Sequence, residues 1–250
     1  TLISSAPCPA VSAGVAVTVN AEPEPGSDGA AVLCASGNPV DLSGFLGDNP
    51  DAGGTWTLAG VPHGTTIDPG SDEAGDYVYT VSGIAPCPSV SSTVSVTIAT
   101  EPDAGTNGLR TVCTSGVPLD LFSELGGTPD AGGTWSGPSP VADGQFDPGS
   151  MTAGDYTYLI DVPAPCTSAS STVTIISVEP PDPGTNGNAL LCVSSSATNL
   201  FDLLGGAPQS GGTWTDPQGI PHGSLFNPAA DAAGDYTYTV NGIQPCPAAE

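Results

Sequence analysis

The 250-residue chain has no lysine and one arginine, Arg110, against 26 acidic residues, a net charge of −25 at pH 7. Nucleic-acid binding needs Lys and Arg to neutralise phosphates, so DNA and RNA are excluded as partners. Anionic membrane surfaces are excluded for the same reason. Long apolar runs are missing too: none approaches the ~20 residues of a bilayer-spanning helix, and no membrane insertion is expected. Methionine occurs once and the helix formers Lys, Arg and Gln are nearly absent, which argues against a helical fold. There is no signal peptide, no sorting motif and no Asn-x-Ser/Thr acceptor. No Gly-x-Ser-x-Gly elbow, phosphate loop or His-Glu-x-x-His motif occurs either.

What is present is 34 Gly, 27 Pro, abundant Ser and Thr, three Trp, six Tyr and regular runs of Val, Ile and Thr. Disordered chains lack such aromatics and β-branched runs. Short strands joined by Gly/Pro turns fit better, so the fold class is all-β. The acidic surface repels itself, which keeps a long chain soluble while stressing the compact state.

The sequence repeats with a period of 79 residues. Cys34, Cys113 and Cys192 recur at that spacing; Cys8, Cys87, Cys166 and Cys246 follow at 79, 79 and 80. Trp56, Trp135 and Trp214 each sit in Gly-Gly-Thr-Trp, and Tyr77, Tyr156 and Tyr236 each in Ala-Gly-Asp-Tyr-x-Tyr. A unit of this length exceeds a solenoid repeat and suits an independent small domain. The boundaries read 1–21 (closing strand of a preceding, truncated module), 22–100, 101–179 and 180–250, the last without its final strand. The chain is expected to continue in both directions.

In the second copy EPDAGTN is a semi-rigid extended linker and Asn107-Gly108 a turn, with Asp28-Gly29 and Asn186-Gly187 as counterparts. A strand through Val112 and Cys113 follows. Asp120 then caps one helical turn that Gly126 ends, with Leu121, Phe122 and Leu125 closing one pole of the core. Strands are predicted at GGTWS, before Phe146-Asp147-Pro148, at AGDYTYLI and at STVTIISV, the last alternating with period two.

An early Cys, a middle Trp and a Tyr after an Ala-Gly corner resemble the immunoglobulin-like β-sandwich, with Tyr156 as the tyrosine corner. The resemblance implies core positions for Trp56, Trp135, Trp214, Tyr77, Tyr156 and Tyr236. One departure is plain: Tyr158 stands where immunoglobulin domains carry their second Cys, and Cys166 lies in the following loop. Two pairing schemes fit the spacing, one within modules and one across them as Cys8–Cys34. In such a sandwich the early strand and the long Tyr strand are expected to run the same way, so the loops after them meet at one pole. That selects Cys34–Cys87, Cys113–Cys166 and Cys192–Cys246, with the partner of Cys8 outside the chain. Each such bridge is worth about 4 kcal/mol on chain entropy, and disulfides point to an extracellular or cell-surface location.

Catalysis finds no support. His63 and His222 share one repeat position in a Pro-His-Gly turn, and the second copy has Ala142 there. Paired carboxylates such as Asp68 with Asp76 and Asp147 with Asp155 recur in register and fit turn and corner roles. The chain is not expected to be an enzyme, and no cofactor is expected beyond structural Ca²⁺. Linker oxygens could hold that ion: Glu22, Glu24 and Asp28; Glu101, Asp103 and Asn107; Glu179, Asp182 and Asn186.

The whole unit, from E-P-x-x-G-T-N-G through D-L-F-x-x-L-G-G, G-G-T-W, F-D-P and A-G-D-Y-T-Y-T-V to P-C-x-x-x-S-S-T-V-T-I, resembles the tandem Ig-like repeats of very large bacterial surface adhesins, including gliding-motility adhesins. The resemblance implies an elongated rod of modules partnered by their neighbours in one long chain, serving as a stalk or spacer in attachment or gliding. Two alternatives stand beside it: modules that bind a surface glycan or protein, and a fibre subunit joined by strand exchange. The duplicated loops around Cys8 and Cys246 count against a simple donor strand.

Overall fold

The structure is a computed structural model and describes residues 10–250. Cys8 lies outside the described residues. The first repeat carries β1 (Gly29–Cys34), β2 (Val40–Asp41), β3 (Thr55–Leu58), β4 (Val61–His63), β5 (Thr66–Ile67), β6 (Gly75–Val81) and β7 (Val90–Ala99). One sheet has the order β1-β7-β6-β3-β4, with β1 parallel to β7 and the other pairs antiparallel; β2 and β5 form a separate ribbon. The second repeat repeats this plan with β8 (Gly108–Cys113), β9 (Leu119–Asp120), β10 (Thr134–Ser136), β11 (Gln145–Phe146), β12 (Gly154–Ile160) and β13 (Ala169–Val178). Its sheet order is β10-β12-β13-β8, with β11 paired to β9. The third repeat has β14 (Thr198–Asn199), β15 (Thr213–Thr215), β16 (Pro221–His222), β17 (Leu225–Phe226) and β18 (Thr237–Thr239), in a sheet β16-β15-β18 and a ribbon β14-β17. Among the described residues no sheet takes strands from two periods. An edge strand parallel to the last strand, then the Tyr strand, then the Trp strand, makes the first and second modules immunoglobulin-like, the second sheet of each cut down to a ribbon.

Period-two alternation explains the closing strands. In β7 Ser92, Val94 and Val96 face inward while Thr93, Ser95 and Thr97 face out, and β13 does the same through Ser171, Val173 and Ile175. Leu42 and Ile67, from the ribbon side, bury against Val94, Tyr77 and Trp56; Leu121 and Phe146 do so in the second repeat.

The expected helical turn is a 3₁₀ turn, present three times: Leu42–Phe45, Leu121–Glu124 and Leu200–Leu203. Asp41, Asp120 and Asn199 cap it by accepting the N–H two residues on, at 2.9, 3.0 and 3.3 Å. The turn stops at Leu125, one residue before Gly126, because Gly126 pairs through both backbone groups with Thr106.

Asn107-Gly108 is not the expected turn. The backbone runs on into β8, and Asn107 Oδ1 accepts the N–H of Thr172 at 2.9 Å, as Asp28 Oδ1 accepts that of Thr93 at 2.7 Å. Glycine is needed there for space: a Cβ on Gly108 would meet the Glu124 carbonyl oxygen at 2.1 Å, and one on Gly29 would meet that of Phe45 at 1.9 Å.

Trp56, Trp214, Tyr77 and Tyr156 are buried, whereas Trp135 and Tyr236 are half-buried. Tyr77, Tyr156 and Tyr236 each donate their hydroxyl to the carbonyl four residues upstream, at 2.7, 2.6 and 2.9 Å, closing the tyrosine corner. Burial pushes the Tyr77 and Tyr236 hydroxyls above the usual phenol range, and the neighbouring Asp72 and Asp231 charges add to it.

The chain gathers into two compact bodies. The first takes residues up to Glu101 together with Val162–Thr167; the second takes Pro102–Asp161 and Ser168–Glu250.

Candidate functional site: cysteine staples that link successive repeats

The cysteines pair differently from the expectation. Cys34 bonds Cys166 and Cys113 bonds Cys246, at separations of 132 and 133 residues, with Cα atoms 5.0 and 4.9 Å apart. Cys87 and Cys192 are free. None of Cys34–Cys87, Cys113–Cys166 and Cys192–Cys246 forms, and Cys34, being bonded to Cys166, is not bonded to Cys8. The reason is a strand direction. The early strand is not the central strand of an immunoglobulin sheet but its edge strand, parallel to the closing strand, with Cys34 opposite Ala99. Because β6 is antiparallel to β7, the loop carrying Cys87 lies at the other end of that ten-residue strand, about 30 Å away. Cys34 therefore sits where its repeat hands over to the next, and the cysteine loop of the next repeat meets it.

That meeting point is built the same way each time. Cys166 Sγ lies 3.6 Å from the Ala99 carbonyl oxygen and Cys246 Sγ lies 3.4 Å from that of Val178, the last residues of β7 and β13. The same two carbonyls accept N–H groups from Ala35 and Thr114, each at 2.9 Å. Among the described residues each cysteine loop begins with a cis proline peptide, Ala85–Pro86, Ala164–Pro165 or Gln244–Pro245. Each bridge falls within one compact body, Cys34–Cys166 in the first and Cys113–Cys246 in the second. A loop of about 130 residues is worth about 5 kcal/mol in chain entropy.

The place of the usual intradomain disulfide is taken by a tyrosine. Tyr79, Tyr158 and Tyr238 pack on Trp56, Trp135 and Trp214 with ring centroids 4.9, 5.1 and 4.9 Å apart. Each hydroxyl also donates to a loop carbonyl (Asp51, Asp130 or Gln209) and accepts a glycine N–H (Gly54, Gly133 or Gly212), all at 2.7 to 2.9 Å. The second Tyr of Tyr-x-Tyr was the sequence signal for this: it occupies the immunoglobulin cysteine position.

Seven of the nine linker residues named for calcium accept hydrogen bonds through their side chains. Glu24 Oε1, Asp103 Oδ1 and Asp182 Oδ1 accept the N–H two residues ahead, at Gly26, Gly105 and Gly184. Asp28 and Asn107 hold the closing strands. Glu101 accepts from Ser36 and Thr167, and Glu179 from Thr114. Glu22 and Asn186 are exposed. Among the described residues no three His, Cys, Asp or Glu side chains gather in a metal-binding group.

The histidines lie in edge strands rather than in a turn. His63 and His222 pair across the ladder with Trp56 and Trp214, and their Nε2 atoms stand 3.5 and 3.4 Å from Asp72 and Asp231. Those carboxylates also accept the N–H of Asp68 and Asn227. The second repeat replaces both partners at once: Ala142 stands for the His and Met151 for the Asp, with Met151 Sδ 3.2 Å from Asp147 N. Two joint exchanges of this kind mark a packing pair. A shallow groove with a rim of Asp41, Ser43, Asn49 and Asp51 lies over Trp56, and its counterpart lies over Trp214, but both indoles are buried beneath and present no face to a sugar.

No protein-family model matches the chain, and no curated protein does. Among solved structures it is similar to the I-band fragment I67–I69 of titin, at 14% identity over 79% of this chain and 80% of that one, with a TM-score of 0.44. The three-Ig E-to-A variant of the same titin domains gives the same values. No helix is long and apolar enough to cross a membrane among the described residues.

Proposed function

We propose that this chain is a load-bearing spacer: tandem Ig-like modules forming the stalk of an extracellular bacterial adhesin or surface filament, in support of attachment or gliding. The observation that carries the reading is the stagger of the two bridges. Their loops overlap between Cys113 and Cys166, so the handovers from the first repeat to the second and from the second to the third are each crossed by the backbone and by a disulfide. Disulfides also suit an oxidising, extracellular setting. A long acidic surface without recognition aromatics suits a spacer better than a binding face.

Pulling the chain from its ends tests this. With both bridges intact the shortest covalent path runs from the start to Cys34, across to Cys166, back along the chain to Cys113 and across to Cys246, so residues 35–112 and 167–245 are bypassed. Full stretching of the reduced chain should exceed that of the oxidised chain by those ~157 residues, about 530 Å. Cys34→Ser alone should lengthen the oxidised chain by only ~25 residues, about 85 Å, because Cys113–Cys246 still bypasses the stretch between its own cysteines. Cys34→Ser with Cys113→Ser should release all of it. Equal lengths for the double variant and the wild type in single-molecule force spectroscopy would sink the spacer mechanism.

A further inference from the structure

We infer that the two disulfides form a redox-set mechanical switch: they turn three stretches of chain that stand in line into three that share a pull, so the oxidised repeats give way together and the reduced ones singly. The inference deepens the spacer reading and rests on it, since it says how such a spacer responds to force along the chain.

The bridges act as two junctions, Cys34–Cys166 the first and Cys113–Cys246 the second. Three stretches have one end at each junction: Cys34 to Cys113, Cys113 to Cys166 and Cys166 to Cys246. Without the bridges the same three follow one another, and each bears the whole force. With them, all three span the same distance. None then lengthens alone, and the force divides.

Each stretch holds one repeat that must open before it lengthens. The first leaves its junction through β2 to β6 and returns with β7, because β1 pairs with β7 and sets Cys34 opposite Ala99. Only residues 100–113, the linker and β8, go on to the second junction. The third stretch begins with β13, and the Val178 carbonyl oxygen at its end lies 3.4 Å from Cys246 Sγ. The third repeat therefore leaves from the second junction and returns to it. The middle stretch is the body of the second repeat, β9 to β12. The linkers are tied in as well. Beside the first junction Glu101 accepts hydrogen bonds from Ser36 at 2.6 Å and Thr167 at 3.4 Å, and beside the second Glu179 accepts one from Thr114 at 2.9 Å.

The sheet of the second repeat brings the three stretches side by side, β12 from the middle one, β13 from the third and β8 from the first. β13 pairs with β8 in parallel over six residue pairs and with β12 antiparallel over seven. In the reduced chain a pull enters at the start of β8 and leaves at the end of β13, which shears their six pairs. In the oxidised chain both strands are pulled from the first junction toward the second, in one direction, and the shear between them vanishes. A β-strand at ~3.3 Å per residue has almost no length left to give. The extra length must come from all three repeats at once. Reduction reverses this by thiol–disulfide exchange: dithiothreitol closes its own ring S–S bond, a protein S–S bond breaks, and two protons pass from the dithiol to the two cysteine sulfurs.

Single-molecule stretching of the whole chain from its two ends, with free thiols alkylated, reads the number and force of rupture events. The oxidised wild type should give one event, at up to about threefold the force of the reduced chain. Its gain is limited by the ~53 residues of the middle stretch, about 180 Å fully extended. Dithiothreitol should restore separate, weaker events. In Cys34→Ser the remaining bridge bypasses the second and third repeats, so a single event at the reduced-chain force is expected from the first repeat alone. Cys113→Ser should leave only the third repeat in line. Separate events in the oxidised wild type, or a single event at a force no higher than in Cys34→Ser, overturn the inference and leave the spacer reading standing on its length difference. Equal lengths in the two redox states overturn both.

Discussion

The first and third repeats share a sequence pattern and differ in what they finish. Both form the capped 3₁₀ turn, the short ribbon and the Trp–Tyr stack with its glycine contact. Only the first forms a ten-residue closing strand, a six-residue edge strand parallel to it and a seven-residue Tyr strand. In the third, Gly-Asp-Tyr is present at the same place, yet Gly234 and Asp235 lie outside β18 and Tyr236 loses its cover. Its buried cluster contracts to Leu200, Trp214, Tyr238 and Val240. The difference separates what local contacts build from what waits for a strand some 65 residues away.

The largest effect should come from turning a finished repeat into an unfinished one. Val94→Asp or Val173→Asp places an unpaired charge at a fully buried position and should cost more than about 4 kcal/mol, read as loss of that repeat's cooperative melting. Val15→Asp, at the equivalent but exposed position, should leave the melting of the single chain unchanged. Equal effects at the two positions would dissolve the comparison.

Next comes the tyrosine that replaces the disulfide. Tyr79→Phe strips both partners from the hydroxyl and leaves the Gly54 N–H and Asp51 carbonyl unpaired, about 1–3 kcal/mol in denaturant unfolding. Tyr238→Phe should cost a similar amount in the third repeat, because this contact does not need the closing strand. A negligible cost in the third repeat alone would mean that the local half is also set by closure.

The histidine pair sharpens the comparison with the second repeat. His63→Ala with Asp72→Met copies Ala142 and Met151, and should differ from wild type by less than about 1 kcal/mol. Asp72→Met alone should cost more than the pair, since it strands His63. A strictly additive double-mutant cycle would show that the two positions do not act together.

The smallest effect is acidic. A hydrogen bond from the Ser43 hydroxyl, followed by that from its N–H, holds the Asp41 carboxyl below the usual range. The Ser150 hydroxyl does the same for Asp147, and the Asn227 N–H for Asp231. Each carboxyl is lowered in the folded state, so its contribution is present above the unfolded value of about 3.9 and is lost as pH falls through the folded one. Asp41→Asn imitates Asn199, the cap of the third repeat, which accepts the same bond without titrating. Melting temperature followed from pH 5 downward should fall less steeply in that variant, and an unchanged slope would exclude the cap as a contributor.

The sequence by itself determined the period, the all-β class, the 3₁₀ cap at Asp120, the Trp and Tyr core and the inward face of each closing strand. These follow from side-chain alternation and from contacts within a few residues, so the residue pattern carries them directly. Two features needed the tertiary structure. Asn107-Gly108 reads as a turn, but its side chain reaches Thr172 and its glycine makes room for a carbonyl of the 3₁₀ turn. The cysteine pairing depends on whether the early strand runs with or against the Tyr strand, and composition and spacing are the same either way. The parallel pairing of β1 with β7 decided it, placing Cys34 at the far end of the sheet from Cys87 and beside Cys166. Strand direction is a property of the assembled sheet, so the sequence could supply the sulfurs and only the fold could say which of them meet.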